Sequence, residues 1–198
     1  LSDRIMNRVQ YRNFGTYEAL VLNHTVDANF PATAKAGLRW YELRRNGGAW
    51  SIFQQSTYAP DADHRWMGSV NINSKGQIAL AYNHSGTGKF ASIYFSGRNA
   101  TDPPGTMAVN DVLLKQGTAY GTFGNRWGDY NDLANDVVND SLFWFTAMYG
   151  SGASAWSTRV SSFKIGLCTP SVSLALTQAG TVSVPEGTNI VYTNTVSA

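Results

Sequence analysis

The 198-residue chain sets 15 basic against 13 acidic residues for a formal charge of +2, with charged residues scarce at 14% and aromatics abundant at 13%. So balanced a charge, with no basic run beyond Arg44-Arg45, argues against a nucleic-acid interface, and no stretch approaches the roughly 20 apolar residues of a membrane helix. The single cysteine, Cys168, excludes an internal disulfide framework and a cysteine metal cluster, and is read as a buried thiol rather than a partner for an upstream cysteine.

Along the chain, short apolar runs alternate with Gly, Asn, Asp and Pro punctuation, which predicts strand after strand. The first run is Ala19 to Val26. Leu38 to Arg44 alternates well, and Asn46-Gly47-Gly48 turns it into Trp50 to Gln55 as a hairpin. Next come Gly68 to Ile72, a turn at Asn73-Ser74-Lys75-Gly76, then Gln77 to Asn83 and Ala91 to Gly97. Thr101-Asp102-Pro103-Pro104-Gly105 breaks the chain before Asp111 to Lys115. The last set is Asp129 to Asn135, Ser141 to Tyr149 and Ser157 to Leu167. Helical periodicity is absent, and a helical turn is tolerable only within Asp132 to Asn139.

These strands fall into a repeat. Arg4-Ile5-Met6, Arg65-Trp66-Met67-Gly68 and Arg126-Trp127-Gly128-Asp129-Tyr130 open three segments, with the arginines 61 residues apart both times. The first two segments run into Leu20-Val21-Leu22-Asn23-His24-Thr25 and Leu80-Ala81-Tyr82-Asn83-His84-Ser85. A repeat of that length made of strands and turns predicts an all-β, propeller-like array of about three blades, over residues 1–60, 61–122 and 123–168. Three blades do not ordinarily close a ring, so further blades upstream are expected, together with any targeting segment. After Cys168 the composition shifts. Residues 169–198 hold one charged residue, Glu186, and read as two or three strands that open an immunoglobulin-like sandwich or are donated to another subunit.

The runs Leu1-Ser2-Asp3-Arg4-Ile5-Met6, Tyr11-Arg12-Asn13-Phe14-Gly15, Arg39-Trp40-Tyr41-Glu42-Leu43-Arg44, Tyr58-Ala59-Pro60-Asp61, His64-Arg65-Trp66-Met67-Gly68-Ser69 and Asn125-Arg126-Trp127-Gly128-Asp129-Tyr130 carry a family resemblance. Together they resemble the C-terminal blades of a propeller module of large secreted bacterial multidomain proteins. The tail, especially Pro185-Glu186-Gly187-Thr188-Asn189-Ile190-Val191-Tyr192-Thr193, is similar to the opening of a surface repeat. The resemblance implies an extracellular or cell-surface location and supplies no catalytic set.

Arg4, Arg65 and Arg126 are the first candidate residues, with Asp63, Asp129, Tyr130, Trp66 and Trp127 beside them. Equivalent arginines on neighbouring blades would converge on one axis and could hold a carboxylate, as in sialidases. The sialidase turn Ser-x-Asp-x-Gly-x-Thr-Trp is missing, however. A structural role is therefore expected, with Arg65 and Arg126 bonded to neighbouring blades and Asp63 and Asp129 as partners. His24 and His84 match in the repeat, yet neither has a carboxylate at ligand spacing, so no metal site is expected. Asp129, Asp132, Asp136 and Asp140 lack the glycine and glutamate of a calcium loop and read as a solvated turn. Four Asn-x-Ser/Thr triplets carry little weight in a chain so rich in these residues.

The expected protein is thus a non-enzymatic structural or adhesive module without a cofactor, and the alternative is a carbohydrate-binding or glycosidase propeller that uses Trp and Tyr as sugar platforms. Its expected partners are upstream blades, copies of itself in a head-to-tail array, and glycans. Leu174, Leu176, Val182, Val184, Ile190 and Tyr192 of the tail are the expected inter-subunit contacts.

Overall fold

The structure, a computed structural model, describes residues 4–6, 8–120, 126–153 and 155–166. The tail residues 169–198, with Leu174, Leu176, Val182, Val184, Ile190 and Tyr192, lie outside them, as do Cys168 and the predicted strand end at Leu167. The described residues form strands and turns with no helix.

The first sheet is a meander of β1 (Gln10–Asn13), β2 (Glu18–Asp27), β3 (Ala36–Arg45) and β4 (Ser51–Tyr58). The second follows the same order with β5 (His64–Ile72), β6 (Ile78–Gly86), β7 (Lys89–Arg98) and β8 (Val109–Lys115). The third has β9 (Asp132–Asn135), β10 (Phe143–Gly152) and β11 (Ala155–Phe163). All pairs are antiparallel. In place of a helical turn, the segment after β9 is held by Asp136, whose carboxylate accepts from the amides of Val138 and Asn139 and from the Trp144 indole. Its side chains satisfy the turn, so no helical hydrogen bonds are needed.

The second sheet lies between the other two. In β6 every residue from Ile78 to His84 is buried, which is the pattern of a strand covered on both faces. Ile78, Leu80 and Tyr82 pack with Ala19, Val21, Leu38, Trp40 and Tyr58 of the first sheet. The alternate residues Ala79 and Ala81 face Leu133, Phe143, Phe145 and Phe163 of the third. Small residues on β6 thus make room for large rings opposite, and the stacked Phe95 and Phe163 rings, 3.8 Å apart at their centroids, extend that layer.

Buried asparagines tie the stack across its sheets. Asn23 Nδ2 donates to the Gly68 carbonyl at 2.9 Å, and Asn83 Nδ2 to the Met148 carbonyl at 2.7 Å. Asn131 Nδ2 donates to Met67 O and to Asn83 Oδ1. Asn23 and Asn83 hold matching places in the repeat, so the same polar residue performs the same cross-sheet task twice. The β9 edge is satisfied likewise: Leu133 N donates to Ser69 Oγ, and Leu133 O accepts from Asn71. At one end all three sheets meet. Arg12 bonds the Ile72 carbonyl and Asp140, and Asp140 also accepts from Ser74 N.

The repeat extends to backbone conformation. Met67 has φ 48° and Gly128, 61 residues later, has φ 77°. Both occupy the left-handed region, which glycine adopts freely and methionine only under constraint. At Met67 that constraint is a bulge between Trp66 and Ser69 in the β5–β6 ladder. Replacing Phe145 with Ala should lower stability by about 3–5 kcal/mol. A urea midpoint that barely moves would show that the third sheet does not pack on β6 as described.

Candidate functional site

Arg65 sits on β5 with no exposed surface, and its guanidinium donates five hydrogen bonds. Nε and Nη2 grip the Asp111 carboxylate, the former at 3.0 Å. Nη1 and Nη2 grip Asp61 at 2.8 and 3.0 Å, and Nη1 also reaches the Asp63 carbonyl at 3.3 Å. This uses the full donor capacity of an arginine. The Tyr58 ring lies 5.5 Å from the guanidinium carbon and closes the site from the first sheet.

Asp111 is itself restrained. Its φ is +42°, its amide donates to Ser96 Oγ, and its Oδ1 accepts from the Tyr82 hydroxyl at 2.6 Å. Burial alone would raise its pKa, but hydrogen bonds from Arg65 and Tyr82 outweigh burial and hold it below the usual carboxylate range. Hydrogen bonds from Arg65 hold Asp61 well below that range too. For Arg65, burial works against the charge, while the bonds to Asp61 and Asp111 more than offset it and strengthen the guanidinium's hold on its proton. Burial pushes the Tyr82 phenol well above its ordinary value, so it stays protonated and donates.

Sequence spacing concealed one of the two carboxylate partners, since Asp61 is only four residues from Arg65. Asp111 lies 46 residues from Arg65 and on another strand. The expected carboxylate partner, Asp63, gives Arg65 only its carbonyl, and its side chain is turned toward Lys89 and His84. The repeat also does not reproduce this node. Moved by one 61-residue period, Asp61 and Asp111 fall on Thr122 and Val172, neither of which is a carboxylate. Arg126 accordingly stands with its side chain 82% exposed and 3.6 Å from Asp129. Arg4 is exposed, two residues before Met6, whose amide donates to the Asn23 carbonyl. All the N–H groups of Arg65 already have internal acceptors, so none remains for an added carboxylate.

Trp66 is half-buried on β5. Trp127, Asp129 and Tyr130 join Arg126, Thr146, Met148, Trp156 and Thr158 around a cleft of about 390 Å³ on the third sheet. Four of the eight candidates from the sequence therefore border one open space. Trp156, one of the tryptophans read from the sequence as possible sugar platforms, also lines it.

The acidic run does not gather into a calcium loop. Asp136 caps its own turn, and Asp140 joins Arg12, Ser74 and Asn135. A different cluster forms where none was expected: Asp61, Asp63 and His84 bring their ligand atoms within 4.8 Å of one another. His24, at the matching repeat position, is instead 3.1 Å from the Tyr41 hydroxyl.

Outside the node, two sheet faces remain open among the described residues. On the first sheet Tyr11, Leu20, Leu43 and Ile52 are directly opposite one another across four strands. Tyr11 is 54% and Ile52 55% exposed. On the third sheet Phe143, Phe145 and Ala147 point inward, which leaves Trp144, Thr146 and Met148 on the outer side. Register adds Trp156 and Val160 to that side. No protein-family model matches the sequence, and no curated protein matches it.

Two outcomes follow from the node. Arg65→Ala should destabilise the chain by about 3–5 kcal/mol by leaving Asp61 and Asp111 uncompensated, whereas Arg126→Ala should stay within about 0.5 kcal/mol. Equal melting temperatures for the two variants would contradict the assignment. The second outcome concerns pH. Burial lowers the pKa of both His24 and His84, so the unfolded chain binds more protons and stability falls as pH drops below about 6.5. Asp61 and Asp111, also depressed, add a second loss below about pH 4. Urea midpoints measured from pH 8 to 3 should fall in these two stages, and a flat profile down to pH 4 would refute the histidine contribution.

Proposed function

We propose that this chain is a non-enzymatic structural and adhesive module of β-propeller type, working outside the cell or at its surface, whose open sheet faces each take a further sheet of the same kind. The observation that carries this reading is the in-register row Tyr11, Leu20, Leu43 and Ile52 on the outer face of the first sheet. The second sheet buries both of its faces against like neighbours, and the first and third present apolar side chains on faces with no further sheet against them among the described residues. Contiguous apolar patches of this kind mark interaction surfaces. The meander order, face-to-face stacking and recurring Asn23 and Asn83 bridges all suit a blade array. The added sheet comes from another copy or from upstream blades. Engagement of every Arg65 donor argues against the sialidase alternative, in which that arginine would have to meet a substrate carboxylate.

A second reading has its own observation. The cleft bordered by Trp127, Tyr130 and Trp156, with Arg126 and Asp129 at hand, suits a sugar ring that stacks on an aromatic face and is bonded at its hydroxyls. A glycan array separates the two, since a Trp156→Ala variant should lose glycan signal only under this second reading.

For the principal reading, sedimentation equilibrium at rising concentration should show self-association, weakened at least about tenfold by Ile52→Glu. The melting temperature should hold, because Ile52 is exposed and outside the core. Association unaffected by Ile52→Glu, or a monomer at every concentration, would count against docking between copies through this face.

A further inference from the structure

We propose that Asp61, Asp63 and His84 form a binding site for a divalent transition-metal ion of zinc type, for which the Lys89 ammonium competes. His84 is 3% exposed, and neither ring nitrogen has a hydrogen-bond partner among the described residues. Its Nε2 lies 3.2 Å from Asp63 Oδ2 without the alignment of a hydrogen bond. A buried imidazole left in this way costs free energy unless something bonds it. Backbone pairing fixes its place: His84 is opposite Arg65 on β5 and Ser92 on β7, and its ring packs edge-on against Tyr94 at 4.5 Å.

The two carboxylates are equally well placed. Asp63 lies so close to Gly86 that a Cβ there would sit 1.8 Å from Asp63 Oδ1, so only glycine admits the carboxylate at this point. Asp61 is oriented from behind by the Arg65 fork, which leaves its side chain 48% exposed. An acidic ligand braced by a second hydrogen-bonding group is the usual construction of a metal site. Zinc bonds of about 2.0–2.2 Å set neighbouring ligands roughly 3–4 Å apart, so the 4.8 Å span closes with a small inward movement of Asp61.

The donor set chooses the ion. One imidazole nitrogen and two carboxylates suit zinc and its neighbours, whereas calcium and magnesium favour oxygen alone. Three protein ligands leave a fourth position on the exposed Asp61 side. Charge points the same way. Among the described residues the carboxylates of Asp61, Asp63 and Asp111 are paired with Arg65 and Lys89, while the Lys35 ammonium bonds the Asp61 carbonyl rather than its carboxylate; Lys89 is a half-exposed hairpin residue paired with Gly86. Its long stem lets it leave Asp63 when a more highly charged ion arrives.

Zinc chloride titrated into the folded chain at neutral pH, followed by melting temperature and calorimetry, tests this. Zinc should raise the melting temperature of the wild type, since it binds the folded state selectively. Asp63→Asn should weaken binding at least about tenfold, and Lys89→Met should strengthen it by a similar factor. His84→Gln should abolish it. If that buried variant fails to fold, Asp63→Asn and Lys89→Met decide. Binding by Lys89→Met alone would also support the site, with Lys89 as the dominant competitor. No response in either the wild type or Lys89→Met would overturn the proposal. Binding undiminished in Asp63→Asn would overturn it as well, because the ion would then sit elsewhere, for instance at the exposed His64.

Discussion

Burial of β6 on both faces is the constraint on which the rest of the structure depends. A strand covered on one side alternates apolar and polar residues, but β6 cannot, because Ile78, Leu80 and Tyr82 meet one sheet and Ala79 and Ala81 meet another. Polar groups within so dry a layer must be paired. Asn83, in the same strand, is bonded to Met148 and Asn131 across the interface. The stack is therefore held by apolar area and located by asparagine amides, and a slip of one residue in β6 would exchange its two sets of neighbours.

The Arg65 node is the electrostatic counterpart of that packing. An arginine without exposed surface is tolerable only when its donors are satisfied, and here Asp61, Asp111 and the Asp63 carbonyl take all five bonds. These partners come from the loop before β5 and from β8, at opposite ends of the second sheet's sequence. The node therefore fastens the first and last parts of that sheet to each other. It also joins Tyr82 and Ser96 through Asp111, so rotation of any one of these side chains would strand the others.

The fold was legible where residue patterns are local. Apolar alternation and the Asn46-Gly47-Gly48 turn marked β3 and β4, and the 61-residue period foretold three antiparallel sheets. β1 was not legible, because Gln10-Tyr11-Arg12-Asn13 is short and largely polar and owes its conformation to pairing with β2. β5 begins four residues earlier than its apolar pattern suggests, since the bulge at Met67 hides the alternation. The site was less legible still. The repeat singled out Arg65, Arg126, Asp129 and Tyr130, but a period identifies equivalent backbone positions, not equivalent surroundings. Arg65 is enclosed by Asp61 and Asp111, whereas Arg126 stands exposed beside Asp129. The meeting of Asp63 and His84 arises from a strand pairing that no sequence spacing encodes.

The proposed function makes the outer faces of the first and third sheets surfaces of contact. Hydroxyl-radical footprinting at rising protein concentration reads those faces directly, with Phe30, 82% exposed in the loop between β2 and β3, as an internal reference. Oxidation of Tyr11 and Trp156 should fall with concentration while that of Phe30 stays constant. Oxidation of all three that is independent of concentration would contradict the proposed function.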